Sequence, residues 1–245
     1  MLLNKKIEQA TELNRGYIEL LTEVDMSRVS TIKRDPIKVK SLLRSLARNS
    51  STMVNISALE KDIIEKENVG ITRPTVYDYL DILSRLMILE DQPAWNTHIR
   101  SSSNLRKSPK RHFTDVSLAV AAIGVEKNSL LDDLNFAGFL FESLVTHDLR
   151  EYAQANDAKV YHYCDSSNLE VDTIVQKYNG DWCAFEIKLG IGQIDEAAAS
   201  LNKFVSILDS KKIKPPKSLN IITGTGISYT RKDKINVISL ASLGA

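Results

Sequence analysis

Residues 161–189 constrain this chain more than any other stretch: YHYC, a short polar turn, LEVDTIVQKY, then NGDWCAFEIKL. Asn179-Gly180 separates two runs of alternating apolar and polar residues, the strongest short-range signature of an antiparallel hairpin. Side chains of a strand alternate between faces with period two. Trp182, Ala184, Glu186 and Lys188 therefore share one face of the second arm, and Cys183, Phe185, Ile187 and Leu189 the other. In the first arm Glu170, Asp172 and Ile174 point one way and Val171, Thr173 and Val175 the other. Folding the arms together can bring Asp172 to the Glu186-x-Lys188 pair, placing two carboxylates and an ammonium on one surface.

Such a trio suits metal-dependent phosphodiester chemistry. Mg²⁺, for which Mn²⁺ can substitute, keeps several waters and binds through one or two carboxylates plus substrate phosphate. Asp172 and Glu186 are the candidate metal ligands, and Lys188 the group that steadies the attacking water or the phosphate charge. With 14 Glu and 20 Lys among 245 residues, about one Glu-x-Lys arises by chance, and one is present. Its weight lies in its setting, an apolar strand joined by a hairpin turn to a strand that carries Asp. The residues alone leave two readings open, a metal site or a salt-bridged strand face.

The length allows one large or two small domains, and a 43% hydrophobic content supplies their cores. No apolar run reaches membrane-spanning length and the N-terminus carries no signal-peptide pattern, so a cytoplasmic protein without membrane contact is expected. Cys164 and Cys183 lack a CxxC partner and read as reduced thiols rather than zinc ligands. The net charge of +1 is unevenly shared: residues 1–114 carry an excess of Lys and Arg, and residues 115–245 an excess of Asp and Glu. Contact with nucleic acid would therefore start in the first half.

Residues 1–34 read as helical, with Tyr17, Ile18, Leu20, Leu21 and Val24 as an apolar stripe that has no evident partner. From Asp35-Pro36, an N-cap followed by proline at the first helical position, the pattern sharpens. Three helical segments follow, the second capped by Ser57 and the third opened by Thr72-Arg73-Pro74, and then the strand-like Met87-Ile88-Leu89-Glu90. This is the order of a winged helix-turn-helix, here residues 35–115. Arg73 and Thr75 lie near the start of its recognition helix. Residues 92–114 contain no acid but hold Arg100, Arg106, Lys107, Lys110 and Arg111, a basic wing of the kind that contacts phosphates. A packing or protein-interaction role for the same elements stays open, because Asp78 and Asp81 dilute the recognition helix.

Residues 116–245 read as a small helix, a longer helix from about Leu130, the hairpin strands, an amphipathic helix over 193–208 and two final strands. Helices before and after a central hairpin predict an α/β (α+β) sandwich around a mixed sheet. Phe136, Phe139, Leu140, Leu144 and Leu149 are the expected apolar face of the longer helix. Glu142 in that stretch is either an edge residue or a third acid aimed at the Asp172/Glu186 face.

Five blocks carry a resemblance to a known family: YLDILSRLMILEDQPAW (79–95), KSPKRHFTDVSLA (107–119), LFESLV (140–145), LEVDTIV (169–175) and CAFEIKLG (183–190). In order and spacing they resemble the C-terminal half of a bacterial and archaeal AAA-type ATPase family. Its members carry an ATPase, a winged helix and a restriction-endonuclease-like domain of unknown function with a PD-(D/E)xK core. The resemblance implies that Glu142, Asp172, Glu186 and Lys188 occupy the nuclease-like acidic and basic positions, with DNA as the substrate class of a Mg²⁺-dependent hydrolase. The chain has no G-x-x-x-x-G-K-[ST] phosphate loop. An AAA-type ATPase is thus an expected partner in trans, or in cis in relatives, and residues 1–34 resemble the tail of its lid or linker. A non-catalytic module that targets or regulates such an ATPase is the alternative the resemblance leaves open.

Overall fold

A computed structural model describes residues 7–26, 34–96, 108–125 and 127–244. The chain divides into two compact units, one made by Met1–Asp91 with Arg111–Phe136 and the other by Gln92–Lys110 with Ala137–Ala245. The chain passes from one unit to the other at Asp91/Gln92, Lys110/Arg111 and Phe136/Ala137.

The first unit is helical: α1 (Ile7–Leu20), α2 (Pro36–Arg48), α3 (Ile56–Glu67), α4 (Arg73–Arg85), α5 (Val116–Ile123) and α6 (Lys127–Asp132). Strands β1 (Leu89–Gln92) and β2 (Lys110–Phe113) form a two-stranded sheet, and Thr52 adds a single antiparallel bridge to Arg111. The Asp35 carboxylate caps α2 by accepting the Ile37 N–H at 2.9 Å, as the Asp-Pro pair predicts. The next cap differs: Asn55, not Ser57, accepts the Ala58 N–H at 2.9 Å and starts α3. Buried Val39, Leu42, Leu43 and Leu46 of α2 form the core with Leu59, Ile63, Val76 and Leu83. Arg48 ties α2 to α3 through Asp62 at 2.7 Å and Glu67 at 2.6 Å.

The stripe on α1 does have a partner. It packs on α5, whose VSLAVAAI sequence presents small side chains that allow close approach. Ile18 and, just beyond α1, Leu21 are buried, while Tyr17 and Leu20 of the expected stripe face solvent.

The second unit holds α7 (Leu134–Ala155, from Ala137 on), β3 (Ala158–Cys164), β4 (Glu170–Lys177), β5 (Trp182–Lys188), α8 (Ile194–Ile207), β6 (Ser218–Thr223), β7 (Tyr229–Thr230) and β8 (Asn236–Ser239). The six strands run in the order β3-β4-β5-β6-β8-β7. Pairing is antiparallel for β3/β4, β4/β5 and β7/β8, and parallel for β5/β6 and β6/β8. The expected mixed sheet between helices is present, with the two-residue β7 as an addition.

Each face of the sheet is covered by one helix. Ala197, Ala198, Leu201 and Phe204 of α8 pack on Trp182, Ala184, Ile174 and Ile221. Trp95 joins this side, its ring 4.9 Å from Trp182, with its indole N–H donating to Gln176 Oε1 at 3.1 Å. On the other face Phe141, Val145 and Leu149 of α7 meet Ile187 and Ile222. Phe139 and Leu144, expected on that face, are exposed instead, because Glu142, Ser143 and Thr146 turn inward beside Phe141 and Val145.

The β4/β5 hairpin is as expected, but its turn is a three-residue loop. Lys177 C=O accepts the Gly180 N–H at 2.9 Å, and Lys177 N–H donates to Asp181 C=O at 2.9 Å. Gly180 takes the left-handed conformation (φ +84°) that glycine alone adopts without strain, the three-residue class rather than the two-residue type I′ turn.

Candidate active site

The hairpin register places Gln176 opposite Trp182, Ile174 opposite Ala184 and Thr173 opposite Phe185, where the β4/β5 pairing stops. Beyond it the Asp172 side chain replaces the next rung. Its Oδ2 accepts the Ile187 backbone N–H at 2.8 Å, which fixes the carboxylate between the parting strands. Lys188 Nζ lies 3.0 Å from Asp172 Oδ2 and 2.6 Å from Glu186 Oε2. The three residues that the alternation placed on one surface do converge.

Glu142 joins them through a residue from a distant part of the chain. Lys110 Nζ sits 2.6 Å from Glu142 Oε1, 2.6 Å from Glu170 Oε1 and 3.9 Å from Asp172 Oδ1. The Lys110 side chain is 2% exposed, whereas that of Lys188 is 23% exposed. Gln92 clamps the same spot: its side-chain amide donates to the Asp172 and Tyr161 carbonyls at 3.0 Å and to Thr173 Oγ1 at 3.2 Å. Thr173 in turn meets Thr146 of α7 at 3.2 Å, one helical turn beyond Glu142. Sequence reasoning missed Gln92 and Glu170 as site residues. Glu170 carried one signal, its place two residues before Asp172 on the same strand face.

Burial and charge pull these acids apart. Burial would raise Asp172, but the Lys188 and Lys110 ammoniums and the Ile187 N–H outweigh it and hold the carboxyl below its ordinary range. Glu186 goes the other way, pushed well above the ordinary range by burial and then by the Asp172 charge, against Lys188. Burial also raises Glu142 to about 7, even though Lys110 opposes it. Both lysines are driven up by the surrounding carboxylates in spite of burial, so both stay charged.

The donor set fits a hard divalent cation. Asp172 Oδ2 and Glu186 Oε2 converge on one point already held by positive charge, the Lys188 ammonium. Among the described residues no three His, Cys, Asp or Glu side chains form a ready-made cation cage.

The residues expected at a nucleic-acid surface separate. Arg73 is exposed at the start of α4, paired with Glu60 at 2.9 Å, and the Thr75 hydroxyl bonds that of Thr72 at 2.9 Å. Arg100, Arg106 and Lys107 lie outside the described residues. Two placements correct the basic wing. Lys110 is buried in the carboxylate cluster, and Arg111 donates to the Val54 carbonyl at 2.6 Å with its side chain 15% exposed. Asp78 of α4 pairs through both oxygens with the buried Arg34 at 3.0 and 3.1 Å.

The model of a domain of unknown function, DUF8612, matches residues 1–129, more than half of the chain. The chain belongs to this family. A second domain of unknown function, DUF4143, matches residues 137–243. Glu142, Glu170, Asp172, Glu186 and Lys188 thus fall in the DUF4143 region, while Gln92 and Lys110 come from the DUF8612 region. No curated protein matches the chain. Among solved structures, the refined half-complex from the tetradecameric assembly of Thermococcus gammatolerans McrB AAA+ hexamers with bound McrC is similar over 83% of this chain and 70% of that chain, at 11% identity and a TM-score of 0.31. No described helix of this DUF8612 protein is long and apolar enough to cross a membrane.

Proposed function

We propose that this chain is a DNA-processing module with a Mg²⁺-dependent phosphodiesterase site of the PD-(D/E)xK kind. The observation that carries the reading is the convergence of Asp172 and Glu186 on the Lys188 ammonium at 3.0 and 2.6 Å. Asp172 and Glu186 hold the ion, and Mg²⁺ bound there supplies Lewis acidity toward the phosphoryl oxygen and a bound water of lowered pKa. Lys188, partly exposed beside them, swings toward the phosphate and stabilises its developing charge. Glu142 and Lys110 hold Asp172 in place from the helix side. The α2–α4 helices and the β1/β2 sheet serve as the winged helix that binds the duplex, with Arg73 and Thr75 of α4 as backbone contacts and Arg100, Arg106 and Lys107 as further phosphate-binding residues. The chain acts in the cytoplasm, with an AAA-type ATPase as its partner.

The test is cleavage of duplex DNA with Mg²⁺ or Mn²⁺ by the wild type and by Asp172→Ala/Glu186→Ala. Cleavage should vanish in the variant while its tryptophan fluorescence stays native-like. Cleavage that persists in the purified double variant refutes the assignment.

One observation favours a second reading, a non-catalytic interaction module. Every acid of the site already has a lysine within 3.9 Å, so the cluster is neutralised in part without any metal. That reading expects no Mn²⁺ affinity, together with retained association with DNA or an ATPase.

A further inference from the structure

We propose that the Lys110 ammonium does the work of a second cation, so that the site takes one divalent ion, at Asp172 and Glu186, and not two. This rests on the phosphodiesterase reading above and specifies its cation count. In two-metal sites the ions lie about 3.5–4 Å apart and clamp the attacking and leaving oxygens from two sides. The acids here surround two ammonium positions, with Asp172 shared between them. Its Oδ2 faces Lys188 beside Glu186, and its Oδ1 faces Lys110 beside Glu142 and Glu170. Each position is filled by one ammonium.

The two ammoniums are not equivalent. Lys188 follows Ile187 at the end of β5, and its side chain is 23% exposed. It can turn outward toward water or a phosphate and leave Asp172 Oδ2 and Glu186 Oε2 to an ion. Lys110 is 1% exposed and is held by two carboxylate contacts of 2.6 Å. For an ion to take its place, a charged side chain would have to leave a buried position and give up both of its close carboxylate partners. Lys110 thus supplies a fixed positive charge where other sites place an exchangeable one. It is a positioning residue, acting on the reacting centre through Asp172 and Glu142.

The test is Mn²⁺ titration of the full chain, read by electron paramagnetic resonance and calorimetry. Wild type should bind one Mn²⁺ per chain and give the six-line spectrum of an isolated ion. Two Mn²⁺ per chain with a spin-coupled spectrum overturns the inference and leaves the phosphodiesterase reading standing. No Mn²⁺ bound, with or without duplex DNA present, overturns both. Lys110→Gln, in a preparation shown to be folded by tryptophan fluorescence, should gain a second Mn²⁺ at the freed carboxylates; one ion only would count against the inference.

Discussion

Replacing Lys110 by Met keeps most of the aliphatic stem and removes only the charge. The ammonium lies 2.6 Å from the carboxylates of Glu142 and Glu170. The Glu170 side chain is 41% exposed and turns to water when its partner goes, but that of Glu142, at 10%, cannot. Removing one partner of a buried pair leaves an uncompensated charge and costs about 3–5 kcal/mol. The loss depends on pH, and its sign follows from Glu142. Burial already raises that carboxyl from 4.5 to about 7 with Lys110 present, and removing Lys110 raises it further. A carboxyl raised in the folded state contributes stability that is complete below its unfolded pKa and is lost as pH rises through the folded value. The variant therefore goes on losing stability above pH 7, where the Glu142 contribution in wild type levels off, and the gap between the two widens toward pH 9.

Both tryptophans of the chain, Trp95 and Trp182, are buried in the second unit. Urea unfolding followed by their fluorescence thus reports the unit that carries the site. Lys110→Met should lower its stability by about 3–5 kcal/mol at pH 7.5, and Lys110→Met/Glu142→Gln should recover about 2 kcal/mol or more, because neither charge is then left buried. A single-variant loss below about 1 kcal/mol, the range of a solvated surface pair, refutes the buried cluster. So does a double variant whose losses simply add.

Three further outcomes follow from the geometry. His162 is fully buried, its Nε2 3.0 Å from the Ser108 carbonyl; burial and then the Lys110 charge lower it to about 4, so between pH 6.5 and 4 the unfolded chain takes up a proton that the folded one does not. That group alone removes about 3 kcal/mol over the interval, and urea midpoints of His162→Gln should fall correspondingly less on acidification; parallel profiles for the two proteins would refute this. Thr223 Oγ1 is buried with no hydrogen-bond partner among the described residues, so Thr223→Val should unfold at an equal or higher temperature than wild type, up to about 1 kcal/mol more stable. A Cβ on Gly224 would stand 2.9 Å from the Leu189 carbonyl oxygen, a backbone atom that cannot step aside, so Gly224→Ala should cost about 1–3 kcal/mol in the same melts; an unchanged midpoint would rule out the close approach.

What could be read in advance was what depends on local periodicity. Alternation over residues 170–188 placed Asp172, Glu186 and Lys188 together, and Asp35-Pro36 marked the start of α2, because these features are set by neighbours in sequence. The misses come from tertiary partners. Lys110 sits in a run of basic residues that looks like a solvated loop, and only the fold brings it to Glu142, 32 positions away. The face of α7 was misjudged because an apolar run includes Phe139 and Leu144, which are exposed, while polar Glu142 and Thr146 are buried by the network they join. The partner of α1 was hidden because α5 offers alanines, which carry little hydrophobic contrast. Neither the three-residue turn nor the two-residue β7 has a signature distinct from its surroundings.

The charge balance of the second unit bears on why such a cluster exists. Buried ion pairs rarely stabilise a fold more than apolar side chains of similar volume would. In the first unit Arg48 ties α2 to α3 at partly solvated positions, with its side chain 24% exposed. The second unit instead encloses Lys110, Glu142, Asp172 and Glu186, each less than 10% exposed. With Glu170 and Lys188 the cluster has four carboxylates facing two ammoniums, an excess of two negative charges when all are ionised. Burial and then the Asp172 charge push Glu186 well above its ordinary range, and a retained proton offsets part of that excess. Lys188 closes β5 directly beside Thr223, which closes the parallel strand β6. The carboxyl ends of neighbouring parallel strands are where open α/β sheets receive their ligands. The partly exposed Lys188 and the buried Thr223 hydroxyl, which has no hydrogen-bond partner among the described residues, lie at that edge, and an ion pair that served packing alone would need equal numbers of carboxylates and ammoniums.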